Sequence, residues 1–176
     1  MALNTLMPPV RVLASGATVS AKKSEEAARK MNARAAQRNW GETVQRSIVR
    51  EWAARGSGFS SVSVYRPDAL YAGPWPLSRE GLAKVSGPLL LFIHVAGPAL
   101  TAEGAKLNPR IGPSLLLHWQ VVETGSGRVL ARGTAAERSP MRKTLLEWAR
   151  HDEAGMVPEL ERVIRTAAAK LAAELR

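Results

Sequence analysis

Cysteine is absent from the chain, which excludes disulfides, thiolate zinc sites, iron–sulfur clusters and cysteine nucleophiles within it. Aspartate is nearly absent: with only Asp68 and Asp152, a carboxylate pair for hydrolysis would have to come mostly from glutamates on helix surfaces. No stretch approaches the ~20 apolar residues that a membrane helix needs. The opening MALNTLMPPVRV has no basic region followed by an apolar one, as a secretory leader would. The expectation is a chain without a transmembrane segment. It would be periplasmic, or on the periplasmic face of the outer membrane, if a signal precedes residue 1, and otherwise cytoplasmic. Catalytic signatures are also missing: there is no G-x-G-x-x-G after a strand, no Walker loop, no H-E-x-x-H and no G-x-S-x-G. No cofactor or metal is expected, and the chain is read as a non-enzyme.

What is present suits a folded domain. The 176 residues are 45% hydrophobic, and at that length folding buries roughly 70% of the surface that the unfolded chain exposes. Residues 1–176 are read as a single domain with its core in 40–176 and with 16–38 as a peripheral basic helix or tether. The formal charge is +10. Residues 1–55 carry ten basic residues against four acidic ones, so the surplus is concentrated there. Such an excess favours encounter with nucleic acid, anionic lipid or an anionic polymer without choosing among them.

Along the chain, Met7 to Ser15 reads as a first strand entered through two prolines. Ala21 to Arg38 is rich in helix formers but offers only Ala27, Ala28, Met31 and Ala35 as an apolar stripe. Asn39-Trp40-Gly41-Glu42 resembles a capping box, opening a helix with Val44, Ile48, Val49 and Trp52 on one side and Gly56 as its stop. Phe59 to Tyr65 alternates as a strand, and Leu77 to Val85 suits a short helix with Ser78 as cap and Gly87 past its end. Leu89 to Ala96 is apolar on both faces and belongs at the centre of the sheet. Pro98 to Pro113 reads as a loop.

Ser114 to Glu123 and Arg128 to Glu137 flank Gly125-Ser126-Gly127, and the glycines at 125 and 127 suit a tight antiparallel reversal. In the second of these strands Val129, Ala131 and Ala135 are expected on one face, with Arg128, Arg132 and Thr134 on the other. Thr144 to Arg150 suggests a helical turn. A long helix opening at Pro158 carries Leu160, Val163, Ile164, Ala167, Ala168, Leu171 and Leu175 at helical spacing. The fold class is thus α/β (α+β): a single mixed sheet of about five strands with an antiparallel C-terminal hairpin, packed by two or three helices in the order β-α-β-α-β-β-β-α.

Three groups of residues are candidates for chemistry. His94 and His118 fall in successive strands and are placed to face each other, either as a metal or acid–base pair or as ordinary cross-strand histidines. Tyr71 and Trp75 sit among prolines and glycines, offering rigid contact area or a lid on the core. Arg128, Arg132 and Arg138, with Arg142 and Lys143, form a second basic group. The expected partner-binding residues are Tyr71, Trp75, Arg128, Arg132 and Arg138.

Three segments carry a family resemblance. LAKVSGPLLLFIHVAG is similar to a helix, small residue and apolar strand, VVETGSGRVLARG to a hairpin with a Thr-Gly turn, and VPELERVIRTAAAKLAAEL to a closing helix. All three resemble the small α/β domains of bacterial envelope lipoproteins: the curli-secretion CsgG-like group, the penicillin-binding-protein activator LpoB-like group and the N-terminal domain of TolB. The chain has no lipid-accepting cysteine, and Pro98 to Pro113 is too short and polar for a membrane-spanning hairpin. The resemblance implies a binding or assembly module of the cell envelope that docks on a partner protein or self-associates. It brings no catalytic residues with it. Two other classes stay open: a basic nucleic-acid-associated or phage-like structural protein, and a small-molecule enzyme built around His94 or His118.

Overall fold

The computed structural model describes residues 2–6, 26, 29–30, 33, 38–56, 58–59, 61–65, 79–102, 110–150 and 153–175. Strand β1 is Ala2–Leu6, helix α1 Trp40–Ala53, β2 Ser61–Tyr65 and α2 Arg79–Ala83. There follow β3 Leu89–Ala102, β4 Ile111–Glu123, β5 Val129–Arg138, α3 Leu145–Arg150 and α4 Glu153–Glu174. The strands lie in the order β2-β1-β3-β4-β5, with β1 parallel to both its neighbours and β3, β4 and β5 running as an antiparallel meander. The mixed α and β class and the antiparallel C-terminal strands agree with the sequence.

Alternation decides what each face buries. Leu91, Ile93 and Val95 of β3 and Leu115, Leu117 and Trp119 of β4 point to one face. There they meet Trp40, Val44, Ile48 and Trp52 of α1 and Val157, Leu160, Val163, Ile164, Ala167, Ala168 and Leu171 of α4. These are the apolar stripes that the helical spacing predicts. Each fully buried leucine or isoleucine contributes ~1.5–3 kcal/mol, so this layer carries most of the fold's stability. On the opposite face Leu90, Phe92 and Val122 are also buried. At that end Thr124 at the tip of the β4–β5 turn donates its hydroxyl to the Gly87 carbonyl at 2.7 Å, fixing the turn to the segment after α2.

Polar clasps hold α4 in register. Lys170 pairs with Glu137 of β5 at 2.7 Å, and the Trp119 indole donates to Glu174 at 3.0 Å. Ser139 donates to the buried carboxylate of Glu159, which Arg162 also binds from one turn along. At the C-terminal end of α4 the Arg55 guanidinium donates to the carbonyls of Ala172 and Ala169, supplying donors to groups a helix end leaves unpaired.

Local signals account for most ends. Asn39 Oδ1 accepts from the Glu42 amide at 3.2 Å, and Gly56 takes φ +75° just past α1. Thr144 and Glu147 form a reciprocal capping box at α3: the Glu147 amide donates to Thr144 Oγ1, and the Thr144 amide donates to Glu147 Oε2.

Several expectations are corrected. The first strand among the described residues is Ala2–Leu6; Met7 to Ser15, where the sequence reads as a strand, lies outside the described residues. The sheet therefore includes residues ahead of position 40. Of segment 16–38, Glu26, Arg29, Lys30 and Ala33 are helical and exposed. Ser78, read as the cap of the short helix, lies outside the described residues.

Pro98 to Pro113 is partly strand, because β3 and β4 continue pairing as far as Ala102 and Ile111, with Pro98 accommodated where the register shifts between Ala96 and Ala99. Only Gly127 of the two turn glycines has positive φ, at 74°. The last helix begins at Glu153 and holds Pro158 inside it, forgoing one backbone hydrogen bond.

Candidate functional site

β5 is an edge strand, with β4 on one side and no strand on the other among the described residues. Its sequence, VLARGTAAER, is short of large side chains, and seven of its ten residues are exposed. The register pairs Val122 with Val129 but Val121 with Ala131, so Leu130 is an extra residue bulged out of the ladder. That bulge moves Val129 to the face shared by Gln120 and Arg132, correcting its expected place beside Ala131 and Ala135. Val129 and Leu130 are 39% and 46% exposed, and Met141, just beyond the strand, is 41% exposed.

The predicted basic residues fall around this edge. Arg132 lies opposite Gln120 and Arg138 opposite Ser114, so both project from the face of the sheet not covered by α1 and α4. Both are exposed. Arg128 precedes the strand and pairs with Glu123 at 3.7 Å. Glu123 also accepts from Ser126 within the turn, and Ser126 Oγ accepts from the Arg128 amide at 3.1 Å. Arg128 is therefore tied into the turn, whereas Arg132 and Arg138 make no such ion pair among the described residues. Tyr71 and Trp75 lie outside the described residues.

His94 and His118 are direct cross-strand partners on that same face, with stacked rings whose centroids are 6.0 Å apart. Burial, followed by the charge of His118, holds the His94 imidazole below its ordinary value. Protonation of His94 is therefore disfavoured. Among the described residues there is no group of three His, Asp or Glu side chains placed to hold a metal ion.

Taken together, β5 offers an edge with no further strand beside it among the described residues, capped at the Ala136 carbonyl by Lys170 Nζ, with exposed apolar atoms at the bulge and two guanidinium forks on one face. Sequence reading found the arginines but missed Leu130 and Met141, since a bulge arises from the register between strands.

No protein-family model matches the chain, and no curated protein matches it. Solved structures similar to it include a minor lipoprotein from Acinetobacter baumannii, with TM-score 0.43 and 11% identity over 99% of this chain and 91% of that one. Another is the PelC dodecamer from Paraburkholderia phytofirmans, with TM-score 0.39 and 10% identity over 97% of this chain and 86% of that one. A third, the lipoprotein GNA1162 from Neisseria meningitidis, has TM-score 0.28 and 14% identity over 97% and 98% of the two chains. At these values the likeness assigns neither family nor function. Among the described residues, no helix is long and apolar enough to cross a membrane.

Proposed function

We propose that this chain is a non-enzymatic module of the bacterial cell envelope, of the kind its sequence resembles among the small α/β lipoprotein domains, and that it docks on a partner protein through β5. One observation carries the reading: a bulged edge strand that leaves Val129 and Leu130 exposed beside Arg132 and Arg138. Natural edges are blunted against unwanted pairing by charge and bulges, and β5 carries both. Away from the bulge and from the Ala136 carbonyl that Lys170 caps, the main-chain groups of β5 admit a short partner segment by β-augmentation, with the arginines selecting acidic side chains on it. Arginine and methionine are enriched at interfaces, which suits Met141 at the rim.

The test is photo-crosslinking in intact cells with p-benzoylphenylalanine placed at Leu130, and in a second strain at the exposed Lys84 near α2. The reading expects one adduct of defined mass from position 130 and none from position 84. It further expects that Arg132→Glu with Arg138→Glu removes the adduct while leaving the melting temperature unchanged. Equal adducts from both positions, or none from 130, would contradict it.

A further inference from the structure

α1 and α4 pack side by side, and where they meet solvent they leave an open groove of about 200 Å³. It is lined from α1 by Thr43, Arg46, Ser47 and Arg50 and from α4 by Glu161 and Arg165. The α1 residues fall at i, i+3, i+4 and i+7, a single stripe along the helix. Three guanidinium groups therefore surround one small space.

The charges there are not balanced internally. Glu161 is engaged by Arg38 at 3.6 Å. Glu51 also borders the groove. Among the described residues no ion pair involves Arg46, Arg50 or Arg165. Arg46 and Arg50, four residues apart on one helix, repel each other. The hydroxyls of Thr43 and Ser47 donate back to the carbonyls of Asn39 and Thr43, so the donors left to a ligand in the groove are the arginines.

We propose that this groove binds a phosphate group. Arginine forks match the geometry of phosphate oxygens, and two or three forks meeting one group give charge-assisted hydrogen bonds from several directions. The groove's volume suits a group smaller than the drug-sized molecules that fill pockets of roughly 300–1,000 Å³. A phosphomonoester carries about −1.5 to −2 at neutral pH, so the surplus of Arg46, Arg50 and Arg165 over Glu51 and Glu161 attracts it more strongly than a single carboxylate. The group is presented either by a small soluble phosphate ester or by a phospholipid headgroup.

The test uses two probes on the full chain. The first is inorganic phosphate, titrated at constant ionic strength while the arginine Nε–H resonances are followed by NMR, with acetate as the monoanion control. Saturable shifts are expected for phosphate, with binding by acetate weaker by about tenfold or more. Arg46→Gln, Arg50→Gln and Arg165→Gln together should weaken phosphate binding by about tenfold or more. Arg29→Gln, Lys84→Gln and Arg110→Gln, which remove the same net charge elsewhere, should not.

The second probe is phosphatidylcholine vesicles containing one-fifth phosphatidic acid. Sedimentation of the wild type but not of the groove variant assigns the headgroup as the source, and phosphate binding without sedimentation assigns a soluble ester. Two results would overturn the site. One is a response to phosphate no different from that to acetate. The other is equal weakening by the two sets of substitutions, which would reduce the effect to net charge. Matching melting temperatures for the two variants would exclude unfolding as the cause of either loss.

Discussion

Trp119 lies across Gly133 on the neighbouring strand so closely that a Cβ at 133 would sit 2.5 Å from indole Cζ2. The glycine is there because the ring is, and the ring is held by its bond to Glu174. Gly133→Ala is expected to displace the indole and to cost about 1–3 kcal/mol in urea unfolding, the usual range for overpacking. His94 supplies a second single-residue test. Its imidazole is held below the ordinary value by burial and then by His118. The unfolded chain therefore takes up a proton near pH 6.5 that the folded chain resists. The contribution is complete above that pH and is lost as the pH falls through the lowered folded value. The melting temperature should fall between pH 7 and pH 5, and His94→Asn should flatten part of that fall.

At the scale of elements, α4 is the segment whose sequence most nearly determines its structure. Leu160, Val163, Ile164, Ala167, Ala168 and Leu171 repeat at helical spacing, and all are buried. Leu171→Asp should therefore lower stability by about 3 kcal/mol or more, read from the same urea transitions. The clasp to β5 was less legible, because nothing in SPMRK or PELER says that Ser139 and Glu159 will meet twenty residues apart. Burial raises the Glu159 carboxyl, but hydrogen bonds from Arg162 and Ser139 outweigh it and hold the group below its ordinary value. Glu159→Gln keeps the shape and removes the charge. It is expected to cost about 1–3 kcal/mol at neutral pH, with the difference from wild type shrinking as Glu159 itself becomes protonated in acid.

The arginines of β5 were visible as a charged cluster, yet their common face depended on the strand alternation, and the exposure of Leu130 depended on a bulge set by β4. Likewise Ala2–Leu6 has too little pattern to announce a central strand. Its place follows from long-range pairing with both Ser61–Tyr65 and Leu89–Ala102. The α1–α4 groove joins arginines about 115 residues apart, and single-helix periodicity shows only half of it.

At the scale of the whole molecule, three layers of function are separable. The helical face carries the core. The face of β3, β4 and β5 turned away from α1 and α4 carries the histidine pair and the arginines, and the outer seam of α1 and α4 carries the cationic groove. A partner on β5 and a phosphate in the groove would thus occupy opposite sides of the sheet and need not compete. This arrangement suits a module held between a second protein and a surface, and it makes location the claim on which the rest depends. The most direct measurement is fractionation of the native gene product in its own cells, with an intact mass on the mature form. The account predicts recovery in the envelope with a processed or lipidated N-terminus. Recovery in the cytosol with an unprocessed N-terminus would contradict it.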